Sequence, residues 1–120
     1  MKPFTYVTAR SPASALELVR EQGRFLAGGI DLLGEMKETL AAPARLVNIK
    51  ALPDTLSVSN ANGRWSIGTN VTLATLAAHA GLKPALTGLV EAAAEVGSPQ
   101  IRNVATLGGN LAQHSRCWYY

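Results

Sequence analysis

The pattern of apolar and polar positions changes period several times along the first part of the chain. "FTYVT" (4–8) has the β-branched and aromatic content of a strand. Ser11 suits a helix N-cap and Pro12 the first helical position. Ala15, Leu16 and Val19 then share one face, and Gly23 is expected to end that helix. "RFLAG" returns to a strand pattern. From Asp31, a natural N-cap, the stripe Leu32, Leu33, Met36 and Leu40 has helical spacing. Beyond Pro43, "ARLVNI" (44–49) reads as a third strand. Strand–helix–strand–helix–strand predicts a small parallel α/β unit.

The pattern then shifts. "TLSVS" and "RWSIG" flank "NANG", a hairpin signal. Thr72 is placed to cap a helix with Leu73, Leu76, Ala77 and Ala80 on one face. A second helix is expected after Pro84, with Leu86, Leu89, Val90 and Ala93 inward. "GSPQIRNVATLGGNLAQ" has no helical stripe before Leu111 and reads as irregular, with a Gly-Gly turn inside it. The expected class is α/β (α+β): a small α/β unit over 1–55, then the beginning of a second, mixed-sheet unit over 56–120. No internal repeat and no low-complexity tract is visible.

Composition narrows the functions. At 120 residues, 48% of them apolar, the chain is at most one ordinary domain with enough apolar material for a core. The net charge of +3 comes from scattered basic residues with no Lys/Arg run. That argues against nucleic acid, while leaving a surface that can attract an anionic ligand. The single cysteine, Cys117, excludes an internal disulfide and points to a reducing compartment. The N-terminus has no apolar stretch of signal-peptide length, and no segment has the length and apolarity of a membrane span. A soluble, cytoplasmic protein is expected, with export alongside a partner subunit as the alternative. The aromatic end Trp118, Tyr119, Tyr120 implies a truncated chain, or an end covered by its continuation or by a partner.

Two glycine pairs carry the candidate chemistry. In "FLAGGIDLLG" (25–34) Gly28 and Gly29 can adopt positive φ and admit a phosphate to their backbone N–H groups, at a helix start that adds partial positive charge. Alone this reads as a tight turn, since it matches neither G-x-G-x-x-G nor the P-loop. "ATLGGN" (105–110) supplies a second pair, bracketed by Thr106 and Asn110, whose side chains can hydrogen-bond phosphate or ribitol hydroxyls. Two such turns converging on one ligand make an anion cradle. Other groups read as structural. His79 and His114 lack metal-ligand spacing. Glu35 and Glu38 lie on the exposed side of their helix, and Ser115 and Cys117 lack a His/Asp relay. Trp65 packs in the hairpin.

With both pairs in this order, the chain resembles the N-terminal part of the FAD-binding subunit or domain of molybdenum hydroxylases, the xanthine dehydrogenase and carbon monoxide dehydrogenase family, with its FAD-binding PCMH-type fold. "FTYVTARSPASALELV", "FLAGGIDLL", "LVNI", "SIGTNVTLATLA" and "SPQIRNVATLGGNLA" carry the resemblance through essentially the whole chain. It implies an FAD diphosphate held by Leu26, Ala27, Gly28, Gly29, Ile30, Asp31 and Leu32, with further contacts from Thr106, Gly109 and Asn110. Arg24, Phe25, Ala105 and Gly108 are second-tier candidates. Ile30 stands where the family often has Thr or Gln, so a side-chain contact there is lost and a backbone contact survives. "SRCWYY" resembles the branch of 4-hydroxybenzoyl-CoA reductase and the YagS-like flavoproteins, where the residue matching Cys117 is a [4Fe-4S] ligand. One thiolate cannot hold such a cluster, so its other ligands would lie beyond Tyr120. The resemblance further implies an oxidoreductase component without catalytic side chains of its own. FAD would accept electrons from iron–sulfur clusters and pass them on. The implied partners are a molybdenum-cofactor subunit and a [2Fe-2S] subunit. The rival expectation is a non-enzymatic fragment or docking module that does not retain FAD.

Overall fold

A computed structural model describes residues 1–20, 22–115 and 117–119. The first half runs β1 (Thr5–Thr8), α1 (Pro12–Val19), β2 (Gly23–Leu26), α2 (Ile30–Lys37) and β3 (Arg45–Asn48). The three strands form one parallel sheet with β3 in the centre. Strand alternation sends the consecutive buried residues Leu46 and Val47 to opposite faces. On the Val47 face α1 delivers Ala15, with Leu18 and Val19 packed at the edge of that cluster.

A reciprocal capping box starts α1: the Ser14 N–H donates to Ser11 Oγ at 3.1 Å and the Ser11 N–H to Ser14 Oγ at 3.1 Å. Ser11→Ala is expected to lower stability by about 1 kcal/mol, read as a lower urea midpoint with an unchanged slope.

Several details differ from expectation. Leu16 is 60% exposed, because the inward stripe is Ala15, Leu18 and Val19 and Leu16 falls beside it. Gly23 opens β2 instead of closing α1. A Cβ there would sit 2.7 Å from the Val19 carbonyl oxygen, so the glycine serves a close helix–strand crossing. Gly29, at φ 77°, is the N-cap of α2, which puts Asp31 in the first turn. Leu40 is 69% exposed because α2 stops at Lys37.

The second half begins with the hairpin β4 (Val58–Ala61) and β5 (Arg64–Ile67). Its two-residue loop, Asn62 and Gly63, has φ 53° and 79°, as a type I′ turn requires. Then follow α3 (Leu73–Ala78), α4 (Leu82–Ala85), α5 (Thr87–Glu95), α6 (Pro99–Arg102) and α7 (Leu107–Ala112). Val71, Leu73, Leu76, Leu82, Val90 and Ala93 form a buried core, with Val58, Trp65 and Ile67 of the hairpin against it. His79 caps α3, accepts the Leu82 N–H at Nδ1 and meets Trp65 edge-on, a packing role.

Pro84 lies inside α4, and the next helix opens at Thr87, which leaves Leu86 between the two and Ala80 outside α3. The stretch after Gly97 is not irregular: it holds α6 and α7, each started by a hydroxyl cap, Ser98 and Thr106. Helices of four and six residues are too short to show a stripe. No helix among the described residues is long and apolar enough to cross a membrane.

Candidate functional site

The loop of residues 27–29 leaves the carboxyl end of β2, where open parallel sheets bind their ligands. Beyond it, two segments of the second half run side by side. The Leu73 N–H donates to the Ala105 carbonyl at 3.0 Å, the Leu107 N–H to Val71 at 2.9 Å, and the Gly108 N–H to Thr69 at 2.8 Å. The two glycine pairs meet here. A Cβ on Gly28 would lie 2.3 Å from the Val104 carbonyl oxygen and 3.1 Å from the Ala105 Cα. A Cβ on Gly108 would lie 2.8 Å from the Thr69 Cβ. Only glycine permits either approach.

A cleft of about 1190 Å³ lies between these segments. That exceeds the roughly 300–1,000 Å³ of ordinary ligand pockets. Residues 24–32 all line it, so Arg24 to Leu32 are brought together. From the other side come Ala105, Thr106, Gly108, Gly109 and Asn110. Cys117 does not line it; its thiol is free and exposed. Among the described residues, no three His, Cys, Asp or Glu come together as metal ligands.

The two sides differ in what they offer. The N–H groups of Ala27, Gly28, Gly29 and Ile30 have no acceptor among the described residues. They open α2, whose N-terminus adds partial positive charge. The second glycine pair is not a turn with free donors: Gly108 and Gly109 are the first turn of α7. The Gly108 N–H is bonded to Thr69, the Gly109 N–H to Thr106 Oγ1 at 3.1 Å, and the Asn110 N–H to the Thr106 carbonyl at 2.9 Å. What this side presents is the Thr106 hydroxyl hydrogen, in a side chain 4% exposed, and the Asn110 carboxamide. The cradle is therefore asymmetric, with donors from the first loop and close packing from the second.

Sequence reasoning missed a third segment. Thr69 and Asn70 line the cleft, as do Gly97 and Ile101. The Arg102 guanidinium holds the turn before α6 through the Val96 and Gly97 carbonyls at 3.0 and 3.1 Å. The "SIGTNVT" stretch carried a signal: a Cβ on Gly68 would lie 2.3 Å from the Thr55 carbonyl oxygen, another forced close approach. Two residues are reassigned. Glu35 is partly buried on the cleft wall instead of on the exposed side, although Glu38 is exposed as expected. His114 also reaches the cleft.

A cleft at the carboxyl edge of a parallel sheet, floored by glycine, with backbone donors at a helix N-terminus that meet no acceptor among the described residues, is the architecture of a domain suited to a phosphate-bearing ligand. The chain belongs to a specific family of such domains: residues 2–117 match the FAD binding domain in molybdopterin dehydrogenase. It is 39% identical over 123 residues to the aldehyde oxidoreductase FAD-binding subunit PaoB of Escherichia coli K12, covering 100% of this chain and 38% of that protein. Among solved structures, the reconstituted CO dehydrogenase from Oligotropha carboxidovorans is similar at a TM-score of 0.86 and 32% identity, over 91% of this chain and 39% of that one. Quinoline 2-oxidoreductase from Pseudomonas putida 86 is similar at 0.87 and 28% identity, over 93% and 41%. The chain thus spans about two fifths of the length of these relatives.

Proposed function

We propose that this chain holds FAD as part of the electron-transfer component of a molybdenum-containing hydroxylase or dehydrogenase. The observation that carries the reading is the approach of Gly28 to residues 104–105 beside the N–H groups of residues 27–30, which have no acceptor among the described residues. That donor set suits a diphosphate, and the cleft has room for a dinucleotide. When bound, FAD supplies the redox chemistry and mediates between one-electron and two-electron partners.

The chain's own residues bind and orient. The 27–30 N–H groups and the α2 N-terminus offset the diphosphate charge. The Thr106 hydroxyl and the Asn110 carboxamide add side-chain donors, and the apolar side chains of Leu26, Leu32 and Ile101 restrict water on the walls. No side chain is required as a general acid or base. Partners that follow from this reading are an iron–sulfur subunit that delivers electrons and a molybdenum-cofactor subunit that oxidises the substrate.

Purification from a flavin-replete host, followed by heat denaturation and chromatography of the released material, tests the reading. FAD at about one per chain is expected, by the single-cleft stoichiometry of ligand sites. A colourless protein that also fails to take up added FAD would overturn it.

A further inference from the structure

Asn70 is 2% exposed and lines the cleft. Its orientation follows from its partners. Nδ2 donates to the Ile49 carbonyl at 2.8 Å, and a carbonyl can only accept. Its second hydrogen goes to Thr55 Oγ1 at 2.9 Å, while Thr55 spends its own hydroxyl hydrogen on the Leu52 carbonyl at 2.8 Å. Both Nδ2 hydrogens are used, and the amide cannot flip without setting two acceptors against each other. Oδ1 is therefore an acceptor. It is buried and has no partner, the one such side-chain atom among the described residues. Buried acceptors are nearly always satisfied, so this one calls for a donor from outside the chain.

We propose that Asn70 Oδ1 accepts a hydrogen bond from a sugar or polyol hydroxyl of the bound ligand, next to its diphosphate. Deepening the FAD reading, this inference rests on it. The diphosphate bridge of a dinucleotide carries no hydrogen at neutral pH and cannot satisfy Oδ1, whereas hydroxyls can. Asn70 follows Thr69, whose carbonyl is bonded to Gly108 in the glycine-lined part of the cleft. In FAD, the groups flanking the diphosphate are the ribose and the ribityl chain, both rich in hydroxyls. The same carboxamide ties Ile49 and Thr55 to the segment before α3, so the ligand contact and the stapling of the two halves share one side chain.

Calorimetric titrations of the wild-type chain and Asn70→Leu with FAD, and separately with inorganic pyrophosphate, test the proposal. Asn70→Leu is expected to weaken FAD about tenfold, as for one lost neutral hydrogen bond, and to leave pyrophosphate within about twofold. Equal weakening of both ligands would reduce Asn70 to a structural staple and overturn the proposal, as would unchanged FAD binding. A wild-type chain that binds no FAD would instead defeat the FAD reading itself, and the proposal with it. Should Asn70→Leu fail to fold, a crystal structure of the wild-type FAD complex decides: a ligand hydroxyl about 3 Å from Oδ1 supports the proposal, and an ordered water in its place overturns it.

Discussion

Gly28→Ala is expected to abolish FAD retention. The added Cβ would lie 2.3 Å from the Val104 carbonyl oxygen and 3.0 Å from its carbon, and both are backbone atoms. No rotamer change relieves such a clash. The 27–30 loop must move away from residues 104–105, and its N–H groups move with it. Misplacing a multi-donor cradle is expected to cost at least about a hundredfold in affinity, or about 2.8 kcal/mol. Gly109→Ala is the informative contrast. A Cβ there meets only Thr106 Oγ1, at 3.0 Å, a side-chain atom that can yield. FAD affinity is expected to fall far less. Equal losses in the two variants, measured by flavin fluorescence titration, would argue against the asymmetric cradle.

The second large effect is on stability. Leu76 is fully buried in the core it forms with Val71, Leu73, Leu82, Val90 and Ala93. Leu76→Ala removes apolar burial and leaves a cavity whose walls belong to several helices, which limits collapse. The expected loss is about 3 kcal/mol, within the range for buried leucines. Against a typical domain stability of roughly 5–15 kcal/mol this is a large fraction. The thermal midpoint should drop on the order of 10 °C. Leu111→Ala, at a side chain 77% exposed, is the control, expected to stay within about 0.5 kcal/mol. Similar drops in both would contradict the core assignment.

How much was legible depended on whether the deciding interaction is local. The Ser11 cap and the Asn62–Gly63 hairpin depend on neighbours within a few residues, and the sequence carries them openly; the strands of the first sheet show in their own residue types, although their pairing is long-range. Gly28 and Gly108 were conspicuous as glycines, but what demands them is close contact with chain distant in sequence, the backbone of residues 104–105 and Thr69. The capping of α2 turned on a competition that only geometry decides: Asp31 is a good N-cap by type, yet Gly29 alone tolerates φ 77° and takes the position. Leu16 and Leu40 look like core residues by type; one lies off its helix stripe and the other past its helix end. Asn70 was invisible as a site residue because its meaning lies in two partners, Ile49 and Thr55, and in the Leu52 carbonyl that takes the Thr55 hydroxyl hydrogen, all brought together by the fold. The engaged donors of α7 were hidden for the same reason. The sequence shows a second glycine pair, and only the fold shows that its N–H groups are already bonded.

The central claim is that the Gly28 loop and the 104–110 segment enclose a flavin dinucleotide. The most direct measurement is an equilibrium titration of the cofactor-free chain with FAD, followed by flavin fluorescence, with FMN titrated in parallel. Saturable binding of one FAD per cleft is expected, with FMN weaker by at least about tenfold because it lacks the diphosphate and the adenosine. Absence of saturable FAD binding, or FMN binding as tightly as FAD, would contradict it.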